Sequence, residues 1–323
     1  MTLSIAFIFP GQGSQKVGMG RALAEAFPVC RQTFDETDAV LGEPLSTLCF
    51  EGPDDRLMLT ENTQPAILAV STAAYRLLAS RGVEPAFVAG HSLGEYSANV
   101  AAGTIAFADA LGLVRRRGRY MQEAVPVGTG AMAAILGLEA DKVAQACAEA
   151  AEGPVNDDDG DQVDRIVSPA NFNGPGQVVI AGSRAAVARA GERARALGAK
   201  RVVPLPVSAP FHCALMKPAE IRLAPELRAL PARNPRVPIV ANVDAEPKRT
   251  AQAAIDALIA QVSLPVRWEA VVARLASAGI TTYVEVGPGT VLSGLVRKIH
   301  REASVVSFGG PDDLAAVEAI LHV

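Results

Sequence analysis

A single serine, Ser92, stands between two glycines in Gly90-His-Ser-Leu-Gly94, directly after the apolar run 86–89. Behind a strand and ahead of a helix, G-x-S-x-G is the pattern of a nucleophile elbow. The chain turns so sharply that the serine hydroxyl projects into a cleft, and a side chain at either glycine would crowd the turn. The helix that follows offers backbone N–H groups and the positive end of its dipole where a tetrahedral oxyanion would form, which gives the N–H of Leu93 an oxyanion role. Such a serine suits acyl transfer through a covalent intermediate, and it needs a base. The chain has four histidines. His91 adjoins the serine, and consecutive side chains diverge on a sharp turn, so it supports the elbow. His322 lies beside the C-terminus. His212 falls in a loop braced by Pro206 and Pro210, which can fix an imidazole within reach of Ser92. The alternative is a loop histidine bonded to backbone.

Arg117 is the second chemical candidate. In the run 114–121 the apolar stripe passes through Ala110, Leu113, Val114 and Met121, and helical spacing puts Arg117 on it while Arg115, Arg116 and Arg119 point to solvent. An arginine on a core-facing stripe is costly unless its planar fork meets an anion, either an internal Asp or Glu or a substrate carboxylate. Phe9-Pro-Gly-Gln-Gly-Ser-Gln15 is the third. It lacks the spacing of a phosphate loop or a dinucleotide fingerprint. At the carboxyl end of a parallel strand, its backbone can supply a second oxyanion donor beside Leu93.

The elements that must hold these residues follow from periodicity. Strand-like runs at 3–9, 87–89, 237–240 and 282–286 alternate with helical patterns such as 65–80, which predicts an α/β domain with a parallel sheet covered by helices. Between 130 and 205 the rhythm becomes strand 131–136, helix 139–151, strand 166–171, strand 177–181, helix 184–197, strand 200–205. That βαββαβ order predicts a small ferredoxin-like subdomain inserted into a large hydrolase-like domain made of 1–129 and 206–323. The stretch 152–165 carries six acidic residues without calcium-loop spacing and reads as a solvated loop, so no metal site is expected.

Half of the 323 residues are hydrophobic and the formal net charge is −4, which allows a large core and gives no basic face for nucleic acid. The four cysteines form no C-x-x-C pair and fit a reducing cytoplasm. No run approaches the roughly 20 apolar residues of a membrane span.

Taken together, Pro10-Gly-Gln-Gly-Ser-Gln15, Gly90-His-Ser-Leu-Gly-Glu95, Arg117, Asn171-Phe-Asn-Gly-Pro-Gly-Gln177, Ser208-Ala-Pro-Phe-His-Cys213 and Glu285-Val-Gly-Pro-Gly289 closely resemble the malonyl-CoA:acyl carrier protein transacylases of fatty-acid and polyketide synthesis. The resemblance implies a cytoplasmic acyltransferase with malonyl-CoA as donor, acyl carrier protein as partner, coenzyme A as product and no cofactor. It makes Ser92 the acylated nucleophile, His212 its base, and the N–H groups of Gln12 and Leu93 the oxyanion hole. It also implies that Arg117 holds the malonyl carboxylate, that the backbone carbonyl of Gln261 orients the histidine, and that Phe211 selects malonyl over branched donors. Leu264 departs from the family's usual Asn before Pro265, and 154–164 resembles an extra hairpin tip. Arg115, Arg116, Arg119, Arg297, Lys298 and Arg301 are candidates for docking an acidic carrier protein. The competing readings are a serine hydrolase in which Glu285 and His300 serve Ser92, and a non-catalytic docking module with a vestigial elbow.

Overall fold

A computed structural model describes residues 4–126, 128–152, 165–207 and 209–321. The acidic stretch 153–164, Ser208 and His322 lie outside the described residues. In chain order the elements that matter here are β1 (Ile5–Phe9), α1 (Thr60–Ser80), β2 (Phe87–Gly90), α2 (Leu93–Ala101), α3 (Phe107–Glu123), β3 (Gly130–Leu136), α4 (Ala140–Glu152), β4 (Val167–Gly174), β5 (Gln177–Ser183), α5 (Arg184–Ala196), β6 (Arg201–Pro204), β7 (Ile239–Val240), β8 (Pro247–Lys248), α6 (Ala251–Gln261), β9 (Thr282–Val286), α7 (Val291–Ile299) and β10 (Ser304–Phe308).

The chain divides into two compact units. The first comprises residues 1–119, 226–258 and 270–323 and contains a sheet of order β10-β9-β1-β2-β7-β8. Its pairs are parallel except β7–β8. Strands covered on both faces read as continuous apolar runs. Phe7, Ile8, Phe9, Val88, Ala89, Val284 and Val286 are accordingly buried. The strand expected at 282–286 is β9, with those bounds; β8 and the edge strand β10 had no expectation. Helix α1 starts upstream of the 65–80 pattern, five residues before Pro65, because the carbonyl of Leu59 closes its first turn by accepting from the N–H groups of Asn62 (2.8 Å) and Thr63 (2.8 Å).

The second unit comprises 120–225 and 259–269, so it reaches beyond the 130–205 insert expected from sequence. Its antiparallel sheet runs β4-β5-β3-β6, the ferredoxin-like order of a βαββαβ chain. Ile135 and Ile180 from the sheet pack with Val143 and Cys147 of α4 and Val187 of α5 in one apolar core. Strand β4 carries register shifts at Pro169/Asn171 and Phe172/Gly174. Proline cannot donate to a ladder, and the irregularity accommodates it. Beyond it, the N–H of Phe172 donates to the Val266 carbonyl (2.8 Å) and that of Val266 to the Ala170 carbonyl (2.9 Å), tying segment 259–269 to this sheet.

Candidate active site

In the first unit, β1 and β2 are in register with Phe9 opposite Gly90, so the loop 10–15 and the turn at 91–92 leave the sheet side by side. The N–H of His91 donates to the Phe9 carbonyl (3.0 Å) and fixes the turn on its neighbour. Ser92 has φ 51° and ψ −107°, a left-handed conformation that a non-glycine residue adopts at a cost of about 1–3 kcal/mol. The flanking glycines are steric necessities. A Cβ on Gly94 would stand 1.9 Å from the Phe9 carbonyl oxygen, and one on Gly90 would stand 2.0 Å from the Gly94 carbonyl. Leu93 opens α2, where first-turn N–H groups have no intrahelical acceptor. The N–H of Ser92 itself donates to Asn242 Oδ1 (2.8 Å).

The loop after β1 is a closed turn. Ser14 donates to the Gly11 carbonyl from both its N–H (3.3 Å) and its hydroxyl (2.7 Å), and the N–H of Gly13 donates to Gln15 Oε1 (2.7 Å). Gln12 lies between Gly11 and Gly13 in this turn, and its side-chain amide reaches Thr60 Oγ1 (3.4 Å) at the start of α1.

Arg117 is 1% exposed, the buried member of its run. Nη2 donates to Ser92 Oγ (3.2 Å), Nη1 donates to Gln64 Oε1 (2.9 Å), and the guanidinium carbon lies 5.2 Å from the centre of the Tyr96 ring. Burial lowers its pKa, an effect that Tyr96 and Glu95 oppose. Arg116 and Arg119 are exposed as the stripe predicts, paired with Glu226 and Glu61. Arg115 differs: it pairs with Glu43, its Nη2 reaches Asn62 (3.3 Å), and only 18% of its side chain is exposed. Residues far apart in the chain cover it, which helical spacing cannot foresee.

His212 belongs to the second unit and is buried, in a positive-φ conformation (60°). Its Nδ1 lies 2.9 Å from the carbonyl oxygen of Gln261, the last residue of α6. A carbonyl only accepts, so Nδ1 carries the proton and Nε2 keeps its lone pair, the tautomer of a base. Phe211 is buried beside it. Leu264, where the chain departs from the family pattern, is 46% exposed, and the segment is held through the backbone of Val266 instead.

The groups that the hydrolase reading would use are committed elsewhere. Both carboxylate oxygens of Glu285 accept backbone N–H groups at the start of α7, from Leu292 (3.0 Å) and Ser293 (2.7 Å), and burial raises its pKa. His300 Nδ1 lies 3.1 Å from the Tyr283 hydroxyl. Sequence reasoning missed Asn242 and Gln64. Glu95, three residues after Ser92, had the spacing of a capping box, yet its carboxylate accepts from the N–H of Asn242 (3.0 Å). Among the described residues no cluster of His, Cys, Asp or Glu could hold a metal ion, and no helix is long and apolar enough to cross a membrane.

The acyl transferase domain family matches residues 6–310. The malonyl CoA-acyl carrier protein transacylase of Escherichia coli (strain K12) is 50% identical over 312 residues, 96% of this chain and 97% of that protein. An acyl carrier protein S-malonyltransferase from Vibrio cholerae superposes with a TM-score of 0.92 at 48% identity, covering 97% of this chain and 99% of that one. A structure described as a holo type II PKS acyl-carrier protein in complex with its malonyl-transacylase also matches. Its TM-score is 0.92 at 46% identity, over 99% of this chain and all of that one (100%).

Proposed function

This chain belongs to the acyl transferase domain family, among its malonyl CoA-acyl carrier protein transacylases, and from that membership we propose that it moves a malonyl group from coenzyme A to acyl carrier protein through an ester on Ser92. The observation that carries the reading is the pairing of a strained elbow serine with a buried guanidinium 3.2 Å from its hydroxyl. A nucleophile and a cation side by side suit an acyl group that ends in a carboxylate.

In the first half-reaction His212 Nε2 takes the Ser92 proton and Oγ attacks the thioester carbonyl. The oxyanion rests on the N–H groups of Leu93 and Gln12, the C–S bond breaks, and the coenzyme A thiolate leaves with the proton from His212. In the second, the phosphopantetheine thiol of the carrier protein gives its proton to His212 and attacks the Ser92 ester, and Oγ recovers the proton as it leaves. The Gln261 carbonyl holds the imidazolium in place of a triad acid, supported by its 2.9 Å approach to Nδ1. Arg117 binds the malonyl carboxylate, and Phe211 excludes a branch at C2. Arg297 and Lys298 in the last turn of α7 and Arg301 just after it, with Arg115, Arg116 and Arg119 of α3, are the basic residues that suit docking of an acidic carrier protein. Buried free thiols at Cys30, Cys49, Cys147 and Cys213 support a cytoplasmic setting.

Intact-mass measurement after mixing with malonyl-CoA tests the central step. A malonyl adduct should appear and Ser92→Ala should abolish it; an adduct that persists in the variant rejects the assignment.

A further inference from the structure

We infer that Asn242 is a positioning residue for the nucleophile, holding Ser92 in its reactive conformation by clamping the carbonyl of Gly90 before it and its own N–H. The inference rests on the reading of Ser92 as the acyl acceptor.

Asn242 follows β7 by two residues and is fully buried. Its Nδ2 donates to the carbonyl of Gly90 (2.7 Å), the last residue of β2, and its Oδ1 accepts from the N–H of Ser92 (2.8 Å). Its own N–H donates to Glu95 Oε2 (3.0 Å) in the first turn of α2. One residue therefore grips the end of the strand, the nucleophile and the start of the helix. The two elbow contacts have opposite polarity, since a carbonyl only accepts and an N–H only donates. A side-chain amide carries a donor and an acceptor on one short fork, whereas a carboxylate has no donor for Gly90 and an alkyl group has neither.

Two consequences follow. A left-handed Ser92 persists only where its surroundings over-determine it, and the amide fork fixes the carbonyl before it and the N–H at it. The Ser92 N–H is also consumed, so the oxyanion donor of the elbow is the next one along, that of Leu93. Releasing the fork lets the backbone at Ser92 relax. Oγ and the Leu93 N–H then shift together, while Arg117, on α3, keeps its place. The expected signature is a loss in the acylation step without a loss in donor binding.

The test compares the unmodified protein with Asn242→Ala and Asn242→Asp, each assayed well below its own melting midpoint. Two rates are read: Ser92 acylation by malonyl-CoA, by rapid quench and intact mass, and Ser92 modification by a small sulfonyl fluoride that Arg117 does not select. Asn242→Ala should slow both by about 10²-fold, the cost of misplacing a reacting group by about 1 Å, with KM for malonyl-CoA unchanged. Asn242→Asp, which keeps the acceptor for Ser92 and loses the donor to Gly90, should fall between. If Asn242→Ala does not fold, Asn242→Ser takes its place in the same readings. Variants that melt lower but react at the unmodified rate on both probes would make Asn242 merely structural and overturn the inference, as would a rise in KM alone. A sulfonyl fluoride rate that depends on Asn242 in a protein that takes no malonyl adduct would leave the clamp standing and remove the acyl-enzyme reading.

Discussion

If Arg117 reads the malonyl carboxylate, Arg117→Ala should lower the preference for malonyl over acetyl, and the size of the change follows from the site. The guanidinium is 1% exposed and gives hydrogen bonds to the neutral oxygens of Gln64 and Ser92. A carboxylate brought against it adds charge-assisted bonds worth about 1.5–3 kcal/mol each. Two such bonds, less what the arginine gives up to receive them, leave about 3–4 kcal/mol that malonyl gains and acetyl does not, or roughly 10²- to 10³-fold in kcat/KM at 1.36 kcal/mol per decade. Transfer of malonyl and acetyl from their coenzyme A thioesters to a carrier protein should be followed separately. The malonyl-to-acetyl ratio of kcat/KM should fall by that factor in Arg117→Ala. Arg117→Met, which refills the space of the stem without the charge, should match it, and Arg117→Lys, a point charge without the fork, should be intermediate. An unchanged ratio, or an equal fall for both donors, would mean that the arginine serves the elbow through Ser92 and that another group reads the carboxylate.

With His212 as the proposed base, His212→Ala should slow transfer by about 10²–10⁴ while His300→Ala stays near the unmodified rate, because His300 is bonded to Tyr283; the reverse order of damage in steady-state assays would favour the hydrolase arrangement. Gly94→Ala requires its Cβ and the Phe9 oxygen to part from 1.9 Å to at least 3.0 Å, a shift of about 1 Å that should cost about 10² in kcat. Full activity in that variant would show that the elbow is not held against β1. Phe211→Ser should raise methylmalonyl relative to malonyl transfer, since relieving an overpacked site is worth about 1–3 kcal/mol; equal kcat/KM for the two donors in the unmodified protein would remove the steric argument.

What could be read from the sequence was what local sterics and periodicity encode. The elbow was legible because crowding at Gly90 is a property of the six consecutive residues 90–95, and Ser92 does take a positive φ there; the crowding at Gly94 comes from the Phe9 carbonyl of β1, which the local sequence does not contain. The βαββαβ rhythm between 130 and 205 was legible because a switch between periods of two and 3.6 marks each element. The inward side of Arg117 followed from its spacing to Val114 and Met121. The short strands were harder. The run 237–240 was expected and forms only the two-residue β7, while the edge strand β10, exposed or half-buried up to Phe308, has no continuous apolar run and was not expected.

The tertiary structure alone decided the partners. Asn242 is one asparagine in a loop, and nothing near it in the chain announces that it meets Ser92 across 150 positions of sequence. That meeting exists because β7 pairs with β2 in the register that sets Ala89 beside Val240. Arg115 looked like its exposed neighbours until Glu43, from a distant segment, covered it. The carbonyl that faces Nδ1 of His212 is likewise brought there by the end of α6 at Gln261, 49 positions away. Types and spacings along the chain fix which groups can do chemistry, because those depend on bonds and on neighbours within a turn. Which groups hold them in place depends on strand register and helix packing, which bring together residues with no local relation.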